Sequence, residues 1–220
     1  MENPRLFMLL LGCKPPGRFT EQHDIFFGVA DSLSDLVPAI LGSWPEAPKI
    51  HIDAWREVTV VDGYRVIVIP RAVAGGDDPT LQTLRYVKTA DIVTQGTQSG
   101  AGDAGGTGLK LFFLNLGGYK PGEFEEYHYK MLSVAADKSM AIRQAKATAF
   151  YKHMGFAGAD SHIDDKYGVD VDDLYEIEEI LTTAIKQQYK LALQADPDAA
   201  ADEWHLGYTK LSSLVSRENS

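Results

Sequence analysis

The chain has a single cysteine, Cys13, among its 220 residues. One cysteine cannot form a disulfide within the chain, which excludes the disulfide-stapled scaffolds of small secreted proteins and indicates a reducing compartment. Long hydrophobic runs are also missing, because no stretch approaches the roughly 18 consecutive apolar residues that a membrane span needs. We therefore expect a soluble cytoplasmic protein without a membrane partner.

Positive charge is scarce. The chain has 21 basic residues against 31 acidic residues, so its formal net charge is −10. No basic stripe interrupts this acidity, and a basic stripe is what binding to nucleic acid or to an anionic membrane surface requires. The sequence thus excludes nucleic acid as an expected partner and leaves room for a cationic ligand.

Recognisable catalytic motifs are absent too, including nucleophilic serine motifs, Walker loops, zinc-finger spacings and cysteine pairs. Residues 100–105 match the glycine spacing of a dinucleotide fingerprint. That fingerprint should follow a strand and open a helix, whereas here it precedes a predicted strand inside a glycine-rich stretch. We therefore expect no cofactor, with a divalent metal as the alternative.

An internal repeat is present in the chain. At a constant offset of 105, ten of the eighteen residues from Leu6 to His23 meet identical residues between Leu111 and His128. An insertion of six residues then shifts the offset to 111, which aligns the His-Ile-Asp of residues 51–53 with that of residues 162–164. The copies span residues about 6–93 and 111–212, so we predict a tandem duplication.

The repeat also predicts the domain organisation. We assign the first copy to residues 1–95, a flexible glycine-rich linker to 96–108, and the second copy with a C-terminal tail to 109–220. Each copy is expected to run strand, strand, helix, then further strands, with strands at 6–11, 24–30 and 56–69 in the first. Ser34 and Ser139 are the predicted helix N-caps, and the second helix is expected from about Met140 to Met154.

This order of elements predicts an α+β fold rather than an alternating parallel one. A pseudo-two-fold arrangement of the copies would imitate a homodimer within one chain. The oligomeric state is therefore expected to be a monomer of this kind or a homodimer.

The candidate site consists of polar residues that both copies share in Glu-x-His and His-x-Asp pairs. Side chains two apart on a strand share a face, so each pair brings an imidazole and a carboxylate together. Such a set could bind a divalent cation or do acid–base work, or it could bind a ligand or tie the module together by hydrogen bonds. The eight residues are Glu21, His23, His51 and Asp53 in the first copy, and Glu126, His128, His162 and Asp164 in the second.

An acidic stretch from Asp160 to Glu179 contains nine carboxylates. Its spacing does not follow the calcium-binding EF-hand loop, which has ligands at alternate positions and a final glutamate. Runs of like charge are usually solvated, so we expect an acidic surface loop here.

Three segments are similar to one known family: residues 12–17 (GCKPPG), 117–126 (GGYKPGEFEE) and 162–173 (HIDDKYGVDVDD). They resemble the domain-of-unknown-function family numbered 1543, whose members are mostly bacterial and carry one or two copies of the domain. The resemblance implies no activity and no catalytic residues.

The absence of catalytic motifs and the internal duplication favour binding over catalysis. We expect a non-catalytic module that binds a small ligand or a protein partner. The alternative is a divalent-metal-dependent, hydrolase-like enzyme that uses the shared histidines and carboxylates.

Overall fold

The chain divides into two units in the computed structural model, which describes residues 4–71, 108–119, 122–148 and 171–215. The first unit comprises Met1–Val87 together with Leu181–Ser220, and the second comprises Lys88–Ile180. The sequence placed residues 181–220 with the second copy. They belong instead to the first unit, because their strands pair with strands of that unit over long ladders.

The first unit is built on antiparallel strands. Its N-terminal elements are β1 (Arg5–Cys13), β2 (Gln22–Ala30), a 3-10 helix (Ser34–Leu36), α1 (Val37–Ser43), β3 (His51–Glu57), β4 (Val60–Val61) and β5 (Tyr64–Pro70). Its C-terminal elements are α4 (Thr183–Gln188), β9 (Tyr189–Ala195), β10 (His205–Lys210) and α5 (Leu211–Val215). The four-stranded sheet has the order β10-β3-β1-β2, and a smaller sheet has the order β4-β5-β9.

Strand β1 is central in the larger sheet, which explains its continuous apolar sequence. Its alternate residues Phe7, Leu9 and Leu11 are buried against the 3-10 helix and α1, where Leu36 and Ile40 complete the core. Because side chains alternate along a strand, Gly12 lies on the other face of the sheet. The core thus fixes one face of β1 and leaves the end of the other face available for polar groups.

The described elements of the second unit are β6 (Lys110–Tyr119), β7 (Glu126–Ala135), α2 (Lys138–Lys146), β8 (Val171–Glu176) and α3 (Ile177–Ile180). Its three strands form an antiparallel sheet with the order β7-β6-β8. Strands β8, β6 and β7 pair in the same order and sense as β3, β1 and β2 of the first unit. The register also agrees, because Gly117 lies opposite His128 as Gly12 lies opposite His23.

The helix starts differ from those predicted. Asp137, not Ser139, caps α2 by accepting a hydrogen bond from the N–H of Met140. Ser34 lies within the 3-10 helix, and Ser32 accepts a hydrogen bond from the N–H of Asp35 just before it. The observed acceptors, Ser32 and Asp137, lie two residues before the predicted caps. Aspartate and serine cap equally well, and the sequence offers several of them. Helix α2 ends at Lys146, earlier than the predicted end at Met154, and residues 149–154 lie outside the described residues.

Antiparallel sheets with few helices confirm the α+β class. Within the described ranges, no helix combines the length and the apolar character needed to cross a membrane.

Candidate functional site

In the first unit, four polar side chains meet at one end of the larger sheet. Gly12 of β1 pairs with His23 of β2 on one side and with His51 of β3 on the other. Residues directly opposite one another across strands share a face, so both imidazoles lie beside the glycine. Glu21 precedes β2 and Asp53 follows His51 by two, which brings two carboxylates to the same place.

A β-bulge positions Asp53. Leu10 pairs with Ala54 and Leu11 pairs with Ile52, so Asp53 is the extra residue without a partner on β1. Bulges redirect a side chain and are frequent beside functional sites. This one turns the Asp53 carboxylate toward the two imidazoles.

The four side chains form a closed ring in which imidazoles and carboxylates alternate. His51 Nε2 lies 3.1 Å from Glu21 Oε1 and 3.2 Å from Asp53 Oδ1. His23 Nε2 lies 3.3 Å from Asp53 Oδ2 and 3.7 Å from Glu21 Oε2. The His51 side chain is 9% exposed, whereas His23 and Glu21 are 44% and 43% exposed. The ring therefore has a buried inner side and an open outer side.

The spacing of these donors resembles that of a metal's ligand shell. Bonds of about 2.0–2.2 Å at angles between octahedral and tetrahedral place neighbouring donors about 2.8–3.6 Å apart. Three of the four ring distances lie in this interval. In addition, Asp53 Oδ2 is buried and accepts no hydrogen bond from the described residues. A buried carboxylate oxygen without a donor is costly unless a cation satisfies it.

Gly12 provides the space between the donors. A Cβ atom at this position would lie 2.5 Å from Asp53 Oδ2 and closer still to His51 Nε2. These separations are near metal–ligand bond lengths, so the side-chain position that glycine leaves empty is close to where the donors converge. Any larger residue would occupy it.

The second unit repeats the arrangement with Glu126, His128 and Asp172. His128 Nε2 lies 3.2 Å from Asp172 Oδ2 and 3.9 Å from Glu126 Oε2. One ligand atom from each of the three residues lies within 4.8 Å of the others. A Cβ at Gly117 would lie 2.7 Å from Asp172 Oδ2 and 2.9 Å from Glu126 Oε1.

The sequence predicted Asp172 to be part of an acidic surface loop and not a site residue. It is the extra residue of a bulge, because Asn115 pairs with Asp173 and Leu116 pairs with Val171, as in the first unit. Asp172 is thus the structural counterpart of Asp53. The predicted counterparts His162 and Asp164 lie outside the described residues.

The expected acidic loop is wrong for residues 171–176, which form strand β8. A signal for this strand was present in the sequence. Residues 170–172 (Asp-Val-Asp) repeat the pattern of residues 51–53 (His-Ile-Asp), with an apolar residue followed by the aspartate. The alignment used an insertion of six residues to match residues 51–53 with residues 162–164, and it therefore missed the match with residues 170–172.

The C-terminal strand β10 makes two aromatic contacts with strand β3. The Tyr208 ring lies 4.4 Å from the His51 ring, tilted by 37°. His205 stacks on Trp55, with ring centres 3.8 Å apart and planes 12° apart. Tyr208 thus borders the buried imidazole, a contact that nothing in the local sequence indicated.

The two sites differ at the second residue after the strand histidine. In the first unit this is Ile25, opposite Leu10, and in the second it is Lys130, opposite Asn115. Burial lowers the pKa of Lys130, while the negative charges of Asp172 and Asp173 act in the opposite direction. A half-buried ammonium group therefore lies within electrostatic range of one of the three donors.

Comparisons with known proteins give a family match and a likeness in fold. Residues 18–68, which contain Glu21, His23, His51 and Asp53, match the model of the family described as Domain of Unknown Function (DUF1543). Among solved structures, the chain is similar to the protein Il1583 from Idiomarina loihiensis, at a TM-score of 0.53 and 19% identity over 95% of this chain and 98% of that one. At this identity the likeness concerns the fold. The search of curated proteins finds no match.

Proposed function

Through residues 18–68 the chain belongs to the DUF1543 family, and we propose that it is a binding module for a divalent transition-metal ion. The ligands in the first unit are Glu21, His23, His51 and Asp53. Those in the second are Glu126, His128 and Asp172. Mixed imidazole and carboxylate donors suit borderline ions such as zinc or manganese.

One observation carries the proposal: a glutamate, a histidine and a bulged aspartate converge over a glycine in both units. The histidine-to-aspartate distances are 3.3 Å and 3.2 Å, and the histidine-to-glutamate distances are 3.7 Å and 3.9 Å. A purely structural hydrogen-bond network has no need of an empty position beneath it. The glycine leaves such a position in each unit.

We also infer that the units arose by tandem duplication of one module. Ten identities at a single offset, the same strand order and the same bulge support this inference. A reducing, cytoplasmic environment fits the one cysteine, which is buried and free.

A hydrolase-like enzyme is the second candidate function, and the exposure of the first site favours it. The side chains of Glu21 and His23 are 43% and 44% exposed, so solvent reaches the donors. A metal held with an open coordination position lowers the pKa of a bound water to about 7 and makes it a nucleophile. Activity against simple phosphate and carboxylate esters, lost together with the metal, would distinguish an enzyme from a binding module.

Metal content is the direct test. Protein produced without an affinity tag, with zinc and manganese in the growth medium, should contain at least one divalent ion per chain by elemental mass spectrometry. Replacing both His23 and His128 with alanine should remove that ion, since each loses a donor nitrogen. His205→Ala is the matched control, because His205 stacks on Trp55 and is not a donor in either cluster.

Two outcomes would refute metal binding. The first is wild-type protein free of transition metal that also takes up none on titration. The second is a bound ion that persists in the double variant.

Tyr208 is expected to orient His51. Tyr208→Ala should weaken metal binding in the first unit about 10-fold, the lower end of what outer-shell substitutions cost. Tyr208→Phe keeps the ring and should change little, and Leu206→Ala, at an exposed position of the same strand, should be neutral. Competition titration with a chelating dye measures the affinities. Equal losses in the alanine and phenylalanine variants would show that the hydroxyl, not the ring, matters.

A further inference from the structure

A row of aliphatic side chains crosses the larger sheet of the first unit beside the donors. Leu10 lies two residues before Gly12 on β1, so it shares the face of the sheet on which the donors lie. Leu10 is opposite Ile25 of β2 and Ala54 of β3. Ala54 is in turn opposite Leu206 of β10, which extends the row to the fourth strand. We call these four side chains the aliphatic row.

The aliphatic row is accessible to solvent. Leu206 is 76% exposed, and the other three side chains are partly exposed. The next side chains along the same face of β1 and β2, Met8 and Phe27, are buried. An open apolar surface therefore begins about 7 Å from the donors, which is the length of two residues of strand.

The second unit has polar side chains at the same register positions. Asn115 lies two residues before Gly117 on β6 and is opposite Lys130 of β7 and Asp173 of β8. Asn115 Nδ2 donates a hydrogen bond to Asp173 Oδ2 at 3.3 Å. Because lysine and aspartate have opposite charges, this polar row differs from the aliphatic row in polarity and not in net charge. All three side chains are partly exposed, so unequal burial does not explain the difference.

The dimensions and position of the aliphatic row fit a small organic anion. Four strands at a spacing of about 4.8 Å make a row roughly 14 Å long and one side chain deep. A protein partner would need a much larger area, roughly 800 Å² on each side. Glu21 and His23 are 43% and 44% exposed, so an ion bound by the donors keeps an open side toward solvent. A carboxylate oxygen is an ordinary ligand for such an ion, and a hydrocarbon chain attached to it would leave water on reaching the row.

We infer that the first site binds a small aliphatic carboxylate, whose head group coordinates the ion and whose chain lies on the aliphatic row. The polar row gives the second site no preference for such a chain. This inference rests on the proposed metal binding and adds the class of ligand. One methylene group fully removed from water is worth about 4-fold in affinity, and the row covers a chain from one side only. Hexanoate should therefore bind about 10-fold more tightly than acetate.

Calorimetric titration of zinc-loaded full-length protein with acetate, butanoate and hexanoate tests the inference. His128→Ala is the background, since it removes a donor of the second site and leaves the first site under test. Ile25→Thr keeps a β-branched side chain but brings a hydroxyl group into the row. It should weaken hexanoate binding about 3-fold or more and leave acetate binding unchanged. Ile67→Thr, the same change at a partly exposed position of β5, is the matched control and should keep the full effect of chain length.

A second variant and a second background extend the test. Leu10→Asn introduces the residue that the second unit has in this row, and it should abolish most of the difference between hexanoate and acetate. In a His23→Ala background, where the second site is under test, the two carboxylates should bind equally. Zinc content and circular dichroism of each variant confirm that the ion and the sheets are retained.

The outcomes separate this inference from the proposed function. If the wild type binds no zinc, metal binding itself fails. If zinc binds but hexanoate binds no more tightly than acetate, the aliphatic row does not bind a ligand chain and metal binding stands. The same conclusion follows if Ile25→Thr and Leu10→Asn both keep the full effect of chain length.

Discussion

Gly12→Ala is expected to empty the metal site of the first unit while the unit remains folded. The added methyl group would lie 2.5 Å from Asp53 Oδ2 and closer to His51 Nε2, so both donors must move apart. Gly12 lies in strand β1 without a left-handed backbone, so alanine is compatible with the chain itself. We expect metal affinity to fall about 100-fold, at or above the largest effects of outer-shell changes. Overpacking would cost about 1–3 kcal/mol of stability.

Two glycine variants control this experiment. Gly42→Ala lies in α1 with no atom near its new methyl group, so it should leave both metal binding and folding intact. Gly117→Ala should remove only the ion of the second unit, because its methyl group would meet Asp172 and Glu126. Isothermal titration with zinc measures all three variants. Wild-type affinity in Gly12→Ala would mean that the metal does not lie between these donors.

The strands near the N-terminus of each unit were predictable from local sequence. The run from Leu6 to Leu11 is apolar on both faces, which is what a central strand requires, and it became β1. In the structure Glu21 lies near His23, and Asp53 lies near His51. The two pairs meet because β1 lies between β2 and β3. The local sequence pattern does not specify this strand order.

The second site shows why register is harder to predict than strands. A bulge adds one residue to β3 and to β8 opposite a continuous partner, and it is this added residue that carries the aspartate. Bulges of this kind leave no strong local signal, because the extra residue can be of almost any type. Aligning His51 with His162 by identity therefore favoured a match that the ladder between β6 and β8 does not follow.

The pairing of the C-terminal strands with the first unit could not be predicted from local sequence, for a different reason. Strand β9 pairs with β5, and β10 pairs with β3, across more than a hundred residues of sequence. Nothing within the sequence of β10 itself identifies its partner strand. The pairing is specified by contacts outside the strand, and one such contact is made by Asp202.

Asp202→Ala is expected to be the most destabilising single substitution in the C-terminal segment. Asp202 Oδ1 accepts hydrogen bonds from the Thr59 N–H at 3.0 Å, the Thr59 hydroxyl at 2.6 Å and the Val60 N–H at 2.9 Å. Its Oδ2 lies 3.6 Å from the Arg56 guanidinium, which packs on Trp204, and the aspartate side chain is only 1% exposed. Removing one partner of a buried ion pair costs about 3–5 kcal/mol.

Tryptophan fluorescence during urea unfolding measures this effect in the first unit alone, because all three tryptophans, Trp44, Trp55 and Trp204, belong to it. Asp202→Asn keeps an acceptor oxygen for Thr59 and Val60 but removes the charge, so it should lose less, about 1–3 kcal/mol. Asp198→Ala, at a nearby exposed position, should stay within about 0.5 kcal/mol of the wild type. If Asp202→Ala loses no more than this control, the C-terminal strands are held by their ladders alone. If the predicted order of the three variants is observed, one buried carboxylate anchors the segment that brings Tyr208 to His51.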